Sequence, residues 1–495
     1  MPPGREGPAE PLAMRSQAFG PHGKFYMIWL WMGFHHDHRE GAMTAANDNS
    51  TGLTKRLSAL SAASQFGDWS GNAVTVAKQC TMDLLGVTLA GMNEPLSAIL
   101  LEEVAEDGGN EQATVIGREK RANCQQAALV NGAAGHALDY DDVHWAMFGH
   151  PTVPVLPAAL ALAEHGRASG KDLLNAFING YETECRVGAA VGGHHYEKGW
   201  HGTGTIGTFG ATAASARLLG LDDEETAQAF GIAGTQAAGL KSMFGTMCKP
   251  FHAGHAAATG LTSARLAKRG FSSRPDVLET AQGFADARGD RIDPDRAFVT
   301  PESGAYVRGN LFKYHAACYL THSSIEALRG LKREHQQIVP ENIGSVSLIV
   351  DPGHLNVCNI QSPTTGLEAK FSLRLTAAMA LADVETADIG VYTDALTRRT
   401  DLAALRDRVS IETARLGSTM ESKVSINLND GSTITGDYDA GVPAADLDEQ
   451  WNALESKFHA LVDPLLGDNR AGQLVEACRN LDAMGDISEL TRMTV

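Results

Sequence analysis

The chain has 495 residues, 43% hydrophobic and 20% charged, with a formal net charge of −18 at pH 7. That length exceeds what one hydrophobic core usually supports, so two domains are expected, in a composition ordinary for a soluble globular protein. The negative balance excludes a nucleic-acid surface, which needs clustered Lys and Arg, but leaves room for an anionic small substrate met by a few local cations.

Residues 1–50 differ from the rest and are expected to be a disordered or mis-assigned extension. FYMIWLWMGF (25–34) is too short to span a bilayer. Arg5, Arg15 and Lys24 precede it as in a signal peptide, yet no small-x-small cleavage site follows. HHDH (35–38) has metal-like spacing, discounted within such a segment, and Met43 opens the polar stretch just before regular patterning begins.

From Leu53 to about residue 270 the spacing predicts helices rich in Ala and Gly, over 73–92 with Gly91 as C-cap, 173–192, 207–221 and 255–270. Such small residues imply close helix packing. A polar connector begins near residue 271. GSVSLIVDPG (344–353) reads as a strand, and VSINLNDGSTITG (424–436) as a hairpin with a type I′ turn at Asp430-Gly431. Helix returns after GVPAADLDEQ (441–450). The expected fold class is mainly α: a large helical domain (51–307, completed by 441–495) and a smaller α+β lid domain (308–440). The seven cysteines, at 80, 124, 185, 248, 318, 358 and 478, are scattered and form no CxxC pair. That implies reduced cytoplasmic thiols rather than a disulfide framework, a zinc ribbon or an iron–sulfur centre.

Four stretches carry candidate chemistry. In ALDYDDVHWAMFGHP (137–151) carboxylates and imidazoles lie close enough to exchange protons near neutral pH. Helical spacing would put Asp139 and Asp142 on one face and send Asp141 and His144 elsewhere, while Pro151 and Pro154 leave His150 on irregular backbone. A capped helix start with solvated acids is the competing reading. GWHGTGTIGTFGATAA (199–214) contains a formal GxGxxG, but no strand precedes it, so a dinucleotide site is not expected. Free N–H groups at Gly202 could instead meet a carboxylate, with His201 at the lip; helix packing explains the glycines equally well.

In MCKPFHAGHAAA (247–258) Pro250 suits a first helical turn and leaves Lys249 at the helix start, where a cation has no dipole reason to be. His252 and His255 share a face, but no third zinc ligand accompanies them, so structural histidines are favoured over a metal. RGNLFKYHAACYLTHSSIEAL (308–328), with Arg308, Lys313 and His315, suits a lid over an anion or a solvated charged face.

Taken together, NGAAGHALDYDD with GHP, the glycine-rich run, KPFHAGHAA and FKYHAACYLTHSSIEA resemble the 2-methylcitrate dehydratase, or MmgE/PrpD, family over about residues 53–460. Its members include 2-methylcitrate dehydratases, cis-aconitate decarboxylase and iminodisuccinate epimerase. The resemblance implies a helical domain plus a lid, a homodimer, and a site between domains that uses no metal or other cofactor. It carries catalytic roles onto Asp139, His150, His201, Lys249 and Lys313. Asp142, His144, Gly202, His252 and Arg308 are expected at the substrate. Val143 departs from the threonine frequent in dehydratases and the decarboxylase, and Leu373 and Leu375 fill the stretch after KFS where a tyrosine is frequent. Both departures bear on the substrate, not on the fold.

The implied chemistry is proton abstraction beside a carboxylate. Elimination of water from a small di- or tricarboxylic acid is the main expectation. Decarboxylation, epimerisation and non-catalytic carboxylate binding are the alternatives. No nucleic-acid or membrane partner is expected.

Overall fold

Helix Gly71–Gly91 shows how the larger part of the molecule is built. The Ser70 hydroxyl caps its start by accepting from the Ala73 N–H, and most of its residues are buried. Gly91 is the last helical residue rather than a cap outside the helix. A Cβ there would lie 2.0 Å from the Ala134 carbonyl oxygen, so glycine lets this helix cross Cys124–Ala137 backbone to backbone. Gly254 does the same for helix Cys248–Ala267, where a Cβ would meet the Leu129 carbonyl oxygen at 2.1 Å. The computed structural model describes residues 52–495. The N-terminal extension, with FYMIWLWMGF, HHDH and Met43, lies outside the described residues.

The helices expected over 173–192, 207–221 and 255–270 are Gly170–Val191, Gly207–Leu219 and Cys248–Ala267. Helices Leu447–Leu466 and Asp468–Arg479 return from the far end of the chain to pack on Gly71–Gly91, with Phe458 seated over Gly86. One core therefore joins Leu85, Phe177 and Tyr181 to Phe458 and Leu474.

The smaller region is α+β. Beyond a short antiparallel pair within the helical part, β1 (Ala113–Thr114) and β2 (Arg121–Ala122), four strands form one sheet. These are β3 (Ile343–Val350), β4 (Val409–Thr413), β5 (Glu421–Leu428) and β6 (Thr433–Asp439), in the order β4-β3-β5-β6. The β3–β4 pair is parallel and the others antiparallel. Alternate residues of β5, Val424, Ile426 and Leu428, are buried in a core with Ile325 and Leu328 of helix His322–Glu334 and Ala377 of helix Leu373–Leu381.

The β5–β6 turn differs from the expected type I′, which needs positive φ at both central residues. Only Gly431 has it, at 88°, while Asp430 does not. Gly431 N–H donates to the Leu428 carbonyl, and the Asp430 carboxylate accepts from the Ser432 N–H and hydroxyl. That side-chain clasp favours a three-residue turn ending in a left-handed glycine. Among the described residues, no single helix is long and apolar enough to cross a membrane. The bent pair Gly71–Gly91 and Pro95–Asp107 passes on length and composition, but the first of these is a core helix.

Candidate active site

The site forms where helix Cys124–Ala137 stops. The sequence led us to expect helix through DYDD, but Asp139 has φ 51° and its N–H returns to the His136 carbonyl. Aspartate is among the few residues that tolerate this left-handed turn. This turn breaks the helical period, and Asp141 rather than Asp142 joins Asp139 beside His150.

Three segments bring the partners in. Val143 and Leu311 exchange both backbone hydrogen bonds, at 2.9 and 3.1 Å, which sets Lys313 beside Asp139. The crossing of helices Cys124–Ala137 and Cys248–Ala267 delivers Lys249 from the first turn of the latter. His150 is fixed by its N–H to the Thr203 hydroxyl at 3.0 Å.

Asp139 Oδ1 then lies 2.8 Å from Lys249 Nζ, 3.1 Å from Lys313 Nζ and 3.4 Å from His150 Nε2. Lys313 Nζ also donates to the Asp139 carbonyl at 2.5 Å. Although the Asp139 side chain is half exposed, the protein packed around it removes enough water to raise its pKa; the two ammonium groups and the neighbouring histidines outweigh this and hold it well below the usual carboxylate range. Burial would likewise neutralise Lys313, and Asp139 and Asp141 outweigh it, so its ammonium stays charged.

Behind His150 stands Asp141, fully buried, with Oδ2 3.2 Å from His150 Nδ1. Both its oxygens lie 2.9 Å from His136 Nδ1. Burial pushes His136 down to about 4, so its ring is neutral and donates Nδ1–H to the carboxylate. Its Nε2 is buried with no partner among the described residues. The His136 and His150 rings meet edge to face with centroids 4.4 Å apart. Neither His136 nor Asp141 was singled out from the sequence. Their signal is the pair HALDYD, legible only once the helix is known to end before Asp139.

His201 faces the cluster from the other side. Its ring stacks 5.8 Å from His136, meets Phe244 at 5.0 Å, and places Nδ1 3.1 Å from Nδ1 of His252. Burial and the surrounding cations push His201 well down, and burial with His255 and Lys249 lowers His252. One ring therefore donates and the other accepts. Gly202 opens a four-residue helix, Gly202–Thr205, where a Cβ would strike the Met147 carbonyl oxygen at 2.4 Å.

Three expected substrate contacts are placed elsewhere. Asp142 is buried and accepts from the Thr152 N–H and hydroxyl, bracing the start of helix Thr152–Gly166, so its oxygens are engaged within the protein. His144 accepts from the Ala146 N–H and packs between Tyr181 and Tyr306. Arg308 donates to the Ala444 carbonyl at 2.6 Å, tying the connector to the C-terminal segment.

By distance alone His136, Asp139, Asp141 and His150 could surround a cation, since their ligand atoms lie within 4.8 Å of one another. The chemistry of the set does not fit one. The Asp139 oxygen already carries two ammonium groups, which would repel a divalent ion at contact range. What the arrangement offers instead is two fixed cations, a histidine between two carboxylates, and neutral imidazoles beside the half-exposed Asp139 side chain.

Residues 55–296 match the MmgE/PrpD N-terminal domain, and residues 315–482 match the MmgE/PrpD C-terminal domain. Among curated proteins, the cis-aconitate decarboxylase of Homo sapiens is 26% identical over 447 residues, covering 87% of this chain and 92% of that protein. The cis-aconitate decarboxylase of Aspergillus terreus is 26% identical over 477 residues, covering 91% and 97%. A cis-aconitate decarboxylase-like protein of Aspergillus oryzae is 29% identical over 460 residues, covering 84% and 91%.

Proposed function

Because the chain belongs to the MmgE/PrpD family, we propose that it is a lyase acting on a small di- or tricarboxylic acid without a metal or other cofactor. Decarboxylation of the cis-aconitate type now stands ahead of the elimination of water that the motifs alone favoured. What supports this order is the naming of the similar curated proteins, cis-aconitate decarboxylases over nearly their whole length. A cytoplasmic homodimer remains part of the reading, and sedimentation tests the dimer.

The observation that carries the chemistry is the convergence of Lys249 and Lys313 on one carboxylate oxygen beside His150. In this reading a substrate carboxylate takes the position of the Asp139 oxygen between the two ammonium groups. When a second carboxylate leaves as carbon dioxide, the electron pair of the broken C–C bond passes into the carbon framework. The ammonium groups stabilise the charge that develops on the retained carboxylate. A proton from His150 then completes the new C–H bond. Asp141, held by His136, orients the His150 ring for that transfer.

The test is proton NMR of the EDTA-treated protein in D2O with cis-aconitate, citrate, 2-methylcitrate and iminodisuccinate in turn. Release of carbon dioxide with deuterium in the product identifies a decarboxylase. A new vinyl signal without carbon dioxide identifies a hydro-lyase, and exchange without either an epimerase. Lys313→Met is expected to lower kcat/KM by roughly 100-fold or more, the scale of a lost transition-state donor. Folded protein that turns over none of the four acids would sink the lyase reading. Tight binding without turnover, unaffected by His150→Ala, would favour a carboxylate-binding protein.

A further inference from the structure

Two consecutive carbonyl groups of the site loop are held by lysines from different ends of the chain. Lys313 Nζ takes the Asp139 carbonyl, and Lys457 Nζ takes the Tyr140 carbonyl at 2.8 Å. Lys457 comes from the C-terminal helix Leu447–Leu466 and is 2% exposed. Its ammonium lies 2.6 Å from Asp83 Oδ1 of helix Gly71–Gly91 and 4.0 Å over the Tyr140 ring. The Tyr140 hydroxyl donates to the Ala387 carbonyl at 3.1 Å, in the α+β region.

Tyr140 is the hinge between two carboxylates with different tasks. Asp139 turns to the lysines and Asp141 to the histidines, and the plane of the peptide bond between Tyr140 and Asp141 sets that divergence. A buried ammonium tolerates little movement of its acceptors, since losing one leaves charge unsolvated in a low dielectric. We propose that Lys457, paired with Asp83, is a positioning residue for the reaction, fixing the Tyr140 carbonyl so that Asp139 and Asp141 face their separate partners. This rests on the lyase reading above for its kinetic consequence but not for its structural one.

The double variant Lys457→Met with Asp83→Asn removes both charges at nearly constant volume, so no buried charge is left unpaired. Its unfolding midpoint is expected to stay close to that of the unsubstituted protein. Hydrogen exchange of the peptide spanning 138–144 is expected to quicken, with exchange in helix Gly71–Gly91 unchanged. The kcat should fall roughly 10- to 100-fold with little change in KM, as misplacement of catalytic groups does. An ion pair that serves only stability predicts the reverse, a protected loop or an unchanged kcat, and either result overturns the proposal. If the unsubstituted protein turns over none of the acids, the lyase reading fails while loop exchange still decides the positioning claim. Should the double variant not fold, Lys457→Arg keeps the charge but displaces the donors, and the same loop and kcat changes are expected.

Discussion

Asp142 and His136 are both buried, and burial moves their titrations in opposite directions. Asp142 is pushed up to about 7, against its bonds from Thr152, while His136 is pushed down to about 4. Between the unfolded carboxylate value near about 4 and pH 7, folded Asp142 keeps a proton that the unfolded chain has lost. Its contribution to stability is therefore full at low pH and fades as pH rises through 7. His136 contributes above its unfolded value near about 6.5, and that is lost as pH falls through 4. Asp142→Asn should thus gain thermal stability relative to the unsubstituted protein between pH 5 and pH 8. Parallel melting curves across that range would refute it. The sequence marked Asp139, His150, His201, Lys249 and Lys313, all of which the fold brings to one cluster or its rim. It grouped Asp142 rather than Asp141 with Asp139, because a helical period was extended across a residue whose φ is positive.

Among elements, the crossing of helices Cys124–Ala137 and Cys248–Ala267 does most to shape the site, since one ends next to His136 and Asp139 and the other begins with Lys249. Gly132 and Gly254 let the two backbones touch. Gly254→Ala must push the helices apart, at a cost of about 1–3 kcal/mol for overpacking. It should also lower kcat/KM, because Lys249 retreats from Asp139. A drop in melting temperature without a change in kcat/KM would separate packing from geometry and contradict this. The helices were legible because apolar spacing and glycine content are local signals. The parallel pairing of β3 with β4 was not, since strands so far apart in the chain carry no local mark of their partner.

At the scale of the molecule, the chain leaves the helical part, builds the α+β region and returns to finish the first core with Trp451, Phe458 and Leu474. A chain stopped at residue 445 would expose that face of Gly71–Gly91 and remove Lys457. It is expected to lose cooperative unfolding altogether, and a sharp calorimetric transition in such a fragment would disprove the dependence. On the proposed lyase reading, the overall charge of −18 repels an anionic substrate and its capture falls to the lysine pair. That pair already has a tenant in the Asp139 carboxylate, with its side chain 52% exposed. In that reading binding is an exchange of one carboxylate for another, and its free energy is the difference between two similar partners. The same exchange runs backwards once chemistry is over: Asp139 can reclaim the lysines and expel a product that is itself a carboxylate, so release is as accessible as entry.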